Sequence, residues 1–321
     1  MPGRAARWLW ALGLRLRGQW PKRVISFDGG LGDHLLCTTV VHELQRRSLG
    51  PVWVMSPHEV LFQHNPDIAA VVPVEQRIHW LIQRFRIPRP SLNYVEHLPA
   101  ERRDRPPVRH ILAEMCARAG LHGVVELRPY LQLTPAERAA GRRVERQVAI
   151  QSTCLAARFP MVTKDWYPER FQEVVSRLTP EFQFVQLGLP SDPPLAGALD
   201  LRGKTTHRET AAILASSLGF VGLVGYLMHL ARAVECRSVI VYGGRELPEQ
   251  TGYVANENLV SRVACAPCWR YDDCELKREC MQQISVDLVV ESLRRVVARA
   301  GQPLETSTAN LESLLGRTEA P

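Results

Sequence analysis

The sequence predicts an α/β fold of two facing Rossmann-like domains, each built on a parallel sheet, with an interdomain cleft. Three observations predict it. Strand and helix patterns alternate through both halves of the chain. Segments such as "RVISF" (23–27) and "SVIVYGG" (238–244) read as buried strands, the kind that parallel sheets covered by helices contain. The chain has 321 residues, enough for two domains of ordinary size. Ligands in such sheets bind beyond the carboxyl ends of the strands, so two facing domains place them in the cleft.

The elements follow in order. In "MPGRAARWLWALGLRLRGQW", Trp8, Leu9, Leu12, Leu16 and Trp20 recur at helical spacing, with Arg4, Arg7, Arg15 and Arg17 between them. This reads either as a membrane-surface helix or as a terminal helix packed on its own protein. Its scattered arginines and lack of a small-residue cleavage site do not fit a signal peptide. After the strand at 23–27 come a helix at 33–47 and strands at 51–56 and 69–74. The Arg- and Pro-rich stretch 75–109 has no clear pattern and reads as a substrate-facing insertion. A helix at 110–121, a strand at 128–134 and the charged helix "PAERAAGRRVERQ" complete the first half.

The pattern then restarts with a strand at 148–153, a helix at 168–178 opened by Pro168, and a strand at 182–188. Thr206 and Glu209 form a capping-box pair ahead of the next helix. "GFVGL" leads into a helix opening near Tyr226, then the strand at 238–244 and an amphipathic helix at 285–301. The implied division is a basic amphipathic segment (1–20), a first domain (21–145), a second domain (146–285), a closing helix (286–301) and a loose tail (302–321).

With 45% hydrophobic and 23% charged residues the composition is that of a soluble globular protein, and no apolar run is long enough to span a membrane. The net charge of +7 fits a polyanion, an anionic membrane or a phosphorylated ligand. The basic residues are dispersed, without the basic-aromatic stripe of a nucleic-acid binder. Cys37, Cys116, Cys154 and Cys236 are scattered and read as reduced thiols. Cys265, Cys268, Cys274 and Cys280 form one cluster, "CAPCWRYDDCELKREC". Four thiolates this close fit a structural zinc or iron better than disulfides in a reducing cytoplasm, with free thiols as the remaining reading.

The stretch "FDGGLGDHLL" has the look of a nucleotide-binding turn without its usual residues. No Lys-Ser/Thr follows the glycines, and Leu35 stands where a dinucleotide fingerprint has its third glycine. Asp33 sits instead where strand gives way to helix. A carboxylate there either caps the helix or serves as a base in the cleft. Asp28, Gly29, Gly30 and Gly32 shape that turn, and its glycines let a substrate approach the backbone. In the second half, the helix opening at Gly225 and Tyr226 offers backbone N–H groups and a partial positive charge to a diphosphate.

The order "GGLGDHLL", "LDLRGKTTHRETAAILA", "GFVGLVGYLMHLARAV", "VIVYGG" and a cysteine cluster ending "CMQQISVDLV" resembles glycosyltransferase family 9, the bacterial heptosyltransferases. The resemblance covers roughly residues 22–295. It implies a GT-B fold, a nucleotide-sugar donor such as ADP-heptose, inversion at the anomeric carbon and no catalytic metal. It implies a glycan, lipid-linked or protein hydroxyl acceptor. The missing secretion signal fits a cytoplasmic location, peripheral on the inner membrane if the first helix is a membrane-surface one. Asp33 matches the family's base. Arg158, Lys164, Lys204 and His229 match its donor- and phosphate-binding positions, and Gly225, Tyr226 and Met228 lie on the same donor-facing element. Autotransporter-modifying relatives carry an iron site of the general kind the cysteines suggest. One element departs from the pattern: Val224, Gly225 and Tyr226 stand where the family has an acidic residue, a small residue and glycine. That departure implies a different donor sugar, a weaker enzyme or a silent relative acting as scaffold or sensor.

Overall fold

A computed structural model describes residues 4–157 and 160–313. In the first lobe three short strands, Arg23–Ser26, Val52–Met55 and Ala70–Val72, pair in parallel in that order. Successive strand side chains point to opposite faces. Ile25 and Val54 therefore meet Leu35, Val40 and Leu44 of the helix Leu31–Arg46. Val24, Trp53 and Met55 turn the other way, onto the helix Gln76–Phe85 and the N-terminal helix Arg4–Leu16.

The second lobe holds six parallel strands. Their spatial order is Glu257–Val260, Ser238–Gly243, Gly219–Leu223, Gln147–Ile150, Gln183–Gln186, Ala198–Asp200. Helices Pro168–Leu178 and Val286–Ala298 cover one face, burying Phe171, Val174, Val289 and Leu293. Helices His207–Ala215 and Tyr226–Ala233 cover the other, and the latter packs directly against Leu31–Arg46 of the first lobe. One apolar core thus runs through both lobes, from Leu35 and Leu36 to Met228 and Leu230. Each fully buried leucine in it contributes about 1.5–3 kcal/mol.

Several expectations are corrected. Residues 128–134 form no strand. Side chains claim their backbone: Thr39 Oγ1 donates to Arg128 O at 2.7 Å, Tyr130 N to Thr38 Oγ1 at 2.8 Å, and Arg208 Nη2 to Gln132 O at 2.7 Å. The strand lies earlier, at Val124–Glu126, and pairs antiparallel with Thr308–Asn310. The tail is therefore anchored to the first lobe up to residue 313; residues 314–321 lie outside the described part. The charged helix is short, Pro135–Ala140, and ends at Gly141, which packs so closely on the helix His207–Ala215 that a Cβ there would lie 2.0 Å from Ala212 O. The unassigned stretch 75–109 contains a helix and a hairpin, Glu96–Leu98 with Arg103–Arg105. Two strands, Ala198–Asp200 and Glu257–Val260, were too short to show a period.

Candidate active site

The first turn at the lobe junction links the strand Arg23–Ser26 to the helix Leu31–Arg46. Gly30 is the helix N-cap and Asp33 the third helical residue. Asp33 Oδ2 accepts the Gly30 N–H at 2.7 Å, the N3-to-N-cap half of a capping box, so the carboxylate helps fix the helix opening. Its other oxygen accepts the Tyr94 phenol at 2.6 Å. The turn tolerates no side chain at Gly29: a Cβ there would lie 2.4 Å from Asp33 Oδ2 and 2.6 Å from the Phe27 ring. Burial raises the proton affinity of Asp33, against the hydrogen bonds from Tyr94 and Gly30 and the charge of Lys164. A carboxylate so raised is a stronger general base. Asp28 is exposed beside His34. His34 bonds Ser56 Oγ at 3.0 Å, and burial with the neighbouring His58 lowers it to about 4, so it is neutral at pH 7.

The second turn links the strand Gly219–Leu223 to the helix Tyr226–Ala233. Its N-cap, Gly225, supplies no side-chain cap, which leaves the first-turn N–H groups for a ligand. A Cβ on Gly225 would meet nothing within 4 Å. Tyr226 Oη is buried without a hydrogen-bond partner, and its ring meets the His207 ring edge-on at 5.6 Å. The two turns touch at Gly32, where a Cβ would lie 3.6 Å from both Tyr226 Cα and His229 Cδ2. His229 is buried, bonds Tyr253 Oη through Nδ1 at 2.7 Å, and is lowered by burial to about 3. It is therefore a neutral hydrogen-bonding group, not a cation.

Two neighbours on this element do not face the gap. Met228 is fully buried, with the Tyr242 hydroxyl on its sulfur at 3.4 Å. Val224, at the position of the family's acidic residue, is 4% exposed and belongs to the core shared by the lobes.

Lys164, on the short turn Val162–Lys164, pairs with the carboxylate of Glu246, which also pairs with Arg245. Glu246 is buried just beyond the carboxyl end of the strand Ser238–Gly243. Burial pushes its pKa up, but Lys164 and Arg245 outweigh burial and hold it to about 2. Arg245 continues the network across the lobes. It donates to Asp104 Oδ2 at 2.9 Å and lies 4.9 Å from the Trp269 ring centroid. Asp104 belongs to the hairpin of the insertion, and its N–H bonds Trp269 O at 3.0 Å. The insertion is thus a clasp between the lobes as well as a wall of the site.

Lys204 is not brought to the junction. Its ammonium is bonded to Asp200 O at 2.9 Å and Asp200 Oδ2 at 3.2 Å, at the end of the sheet's edge strand. Arg158 lies outside the described residues. Tyr94, Asp104, Arg245 and Glu246 were not anticipated. Glu246 carried a signal, an acidic residue just past a strand's carboxyl end. Tyr94 and Asp104 sit in a stretch without periodicity and carried none.

The four clustered cysteines lie near one another: Cys265 and Cys274 act electrostatically on Cys268, and Cys265 and Cys268 on Cys280. Among the described residues no group of three or more His, Cys, Asp or Glu side chains is arranged as a formed metal site. None of the four is in a disulfide, and Cys265 is exposed. Hydrogen bonds hold the loop: Cys274 Sγ accepts the Arg278 N–H at 3.3 Å, Cys268 N–H bonds Gly244 O at 3.2 Å, and Tyr271 N–H bonds Arg102 O at 3.1 Å.

Among solved structures the chain is similar to E. coli ADP-heptose LPS heptosyltransferase II, with a TM-score of 0.64 and 18% identity over 86% of this chain and 98% of that one. It is similar to the iron-containing dodecameric glycosyltransferase TibC of enterotoxigenic E. coli, with a TM-score of 0.65 and 19% identity over 86% and 76% of the two chains. A family 9 glycosyl transferase from Veillonella parvula gives a TM-score of 0.60 and 14% identity over 86% and 97%. These likenesses establish the GT-B fold. No curated protein sequence matches the chain. Residues 75–278 match the profile of glycosyltransferase family 9 (heptosyltransferase), well over half of the chain, and the chain belongs to that family.

Proposed function

We propose that the protein is an inverting heptosyltransferase, with Asp33 as the base and an ADP-linked heptose as donor. The observation that carries this is the juxtaposition at Gly32. A carboxylate of raised basicity stands on one side, and an uncapped helix N-terminus with open space at Gly225 stands on the other. In a single displacement the acceptor hydroxyl oxygen attacks the anomeric carbon on the face opposite the diphosphate. The C–O bond to the diphosphate breaks, configuration inverts, and the hydroxyl proton passes to Asp33. Charge growing on the departing diphosphate falls to the N–H groups at 225–228 and to Lys164. The orphaned phenol of Tyr226 supplies one more hydrogen bond there.

The first domain (21–145) takes the acceptor hydroxyl, on a glycan, lipid-linked sugar or protein, and the second (146–285) takes the donor. ADP-heptose as donor is supported by the family and by TibC, which was solved in complex with ADP-D-β-D-heptose.

The test measures thermal stabilisation by ADP-heptose, ADP, UDP and GDP, then ADP release in the presence of heptose-deficient lipopolysaccharide. ADP-heptose and ADP are expected to stabilise most. Asp33→Asn is expected to lower turnover about 10²–10⁴-fold with donor binding kept. Absence of stabilisation by every nucleotide, together with no ADP release, identifies a silent relative and overturns the proposal.

A further inference from the structure

The helix Arg4–Leu16 has two apolar faces. One packs inward, with Ala11 2% and Leu14 6% exposed. The other carries a stripe of Leu9, Leu12 and Leu16 at 69%, 53% and 79% exposure, with Trp8, 44% exposed, at its edge against Trp80 and Phe85. Elsewhere the exposed large apolar residues are scattered along the chain. The corner around the stripe is aromatic and cationic. Arg15 stacks on Trp20 at 4.4 Å, Arg77 on Trp10 at 4.6 Å and Arg84 on Trp8 at 4.8 Å. Five of the seven tryptophans of the chain, Trp8, Trp10, Trp20, Trp53 and Trp80, lie in this corner. A groove of about 330 Å³ opens beside the helix, lined by Trp10, Leu14, Trp53, Val72, Ile78 and Arg77.

We propose that this face seats the protein on an anionic phospholipid surface. The helix would lie in the interface, its apolar stripe among the acyl chains and its arginines at the phosphates. Residues 1–23 carry six Lys or Arg and no Asp or Glu, which matches a negative surface. Tryptophan and arginine around an apolar stripe are the composition of an interfacial helix. No helix among the described residues is long and apolar enough to cross a membrane, so the contact is peripheral. A second copy of the chain is a poorer occupant, because a symmetric contact would set one arginine cluster against its own image. The proposal does not depend on the catalytic reading.

The experiment sediments the full chain with vesicles of phosphatidylcholine alone and of phosphatidylcholine with phosphatidylglycerol. Binding to the anionic vesicles is expected to be at least about tenfold tighter and to weaken with added salt. The triple variant Leu9→Glu, Leu12→Glu, Leu16→Glu is expected to lose it while keeping the wild-type melting temperature and far-UV circular dichroism. Asp33→Asn is expected to bind vesicles as the wild type does. Three results overturn the proposal: no preference for anionic vesicles, equal binding by the triple variant, or a wild-type dimer that the triple variant converts to monomer without any vesicle binding.

Discussion

Two turns meet at the centre of the molecule, 27–33 in the first lobe and 223–226 in the second. Each follows a parallel strand, contains glycine and opens a helix, yet they are finished differently. In the first, both Asp33 oxygens are hydrogen-bonded and Gly29 has no room for a side chain. In the second, Gly225 faces open space, the helix has no cap, and the Tyr226 phenol has no partner. A turn completed by its own atoms holds a catalytic group in place. A turn left incomplete has its polar groups satisfied by what binds there. In the proposed function the first turn carries the chemistry and the second the binding, and the contrast supports that division.

The largest expected effect comes from the buried charge beside the turns, in the network that joins the second lobe to the insertion. Glu246→Gln leaves Lys164 and Arg245 without their shared anion and is expected to cost about 3 kcal/mol of stability in urea unfolding at pH 7. The pH dependence has a definite sign. The folded-state pKa of Glu246 is depressed to about 2 from the ordinary 4.5. Its contribution is therefore present in full above 4.5 and is lost as pH falls from there toward 2. The variant should show no loss of this origin in that window.

The glycines separate the two turns directly. Gly29→Ala pushes a methyl into Asp33 and Phe27, and turnover is expected to fall about a hundredfold, as for a displaced catalytic group. Gly225→Ala meets nothing, at a φ of 161° that any residue adopts, so its melting temperature should match the wild type while its donor KM rises. A fall in stability at Gly225→Ala equal to that at Gly29→Ala would erase the distinction.

Tyr94 sharpens the first turn. Its phenol donates to Asp33 and favours the carboxylate. Tyr94→Phe removes that bond, so the Asp33 pKa rises further. The acid limb of the kcat/KM profile should move to higher pH. A turnover loss with no movement of that limb would make Tyr94 a packing residue only.

What the sequence made legible follows the same contrast. Helices with local signals were readable: Pro168 opens Pro168–Leu178, and Thr206 with Glu209 caps His207–Ala215 as expected. The place of Asp33 at the strand-to-helix turn was readable because strand, glycines and carboxylate are contiguous. Contacts between distant segments were not. Tyr94 reaches Asp33 across 61 positions and Asp104 reaches Arg245 across 141, both from a stretch with no period. The strand placed at 128–134 failed because its alternation was real but its backbone partners were threonine and arginine side chains. The cysteine cluster was legible as a cluster, because its spacing is local, whereas the docking of its loop on the first-lobe hairpin and on Gly244 was not.

The smallest effect tests the second turn by itself. The Tyr226 hydroxyl is buried and unpaired in the free protein, a condition that costs stability wherever no ligand relieves it. Tyr226→Phe should therefore leave the free protein as stable as before, or more stable by about 1 kcal/mol. If the phenol binds the donor, the same variant should weaken ADP-heptose binding about two- to tenfold, the worth of one hydrogen bond. The two readings part on one comparison. Unchanged donor affinity with raised stability would make Tyr226 a filler of the space where the family keeps glycine. Weakened affinity with raised stability would show that the chain replaced an open backbone position with a side-chain donor, and that the loss of the acidic residue at Val224 was accompanied by a new contact two residues later.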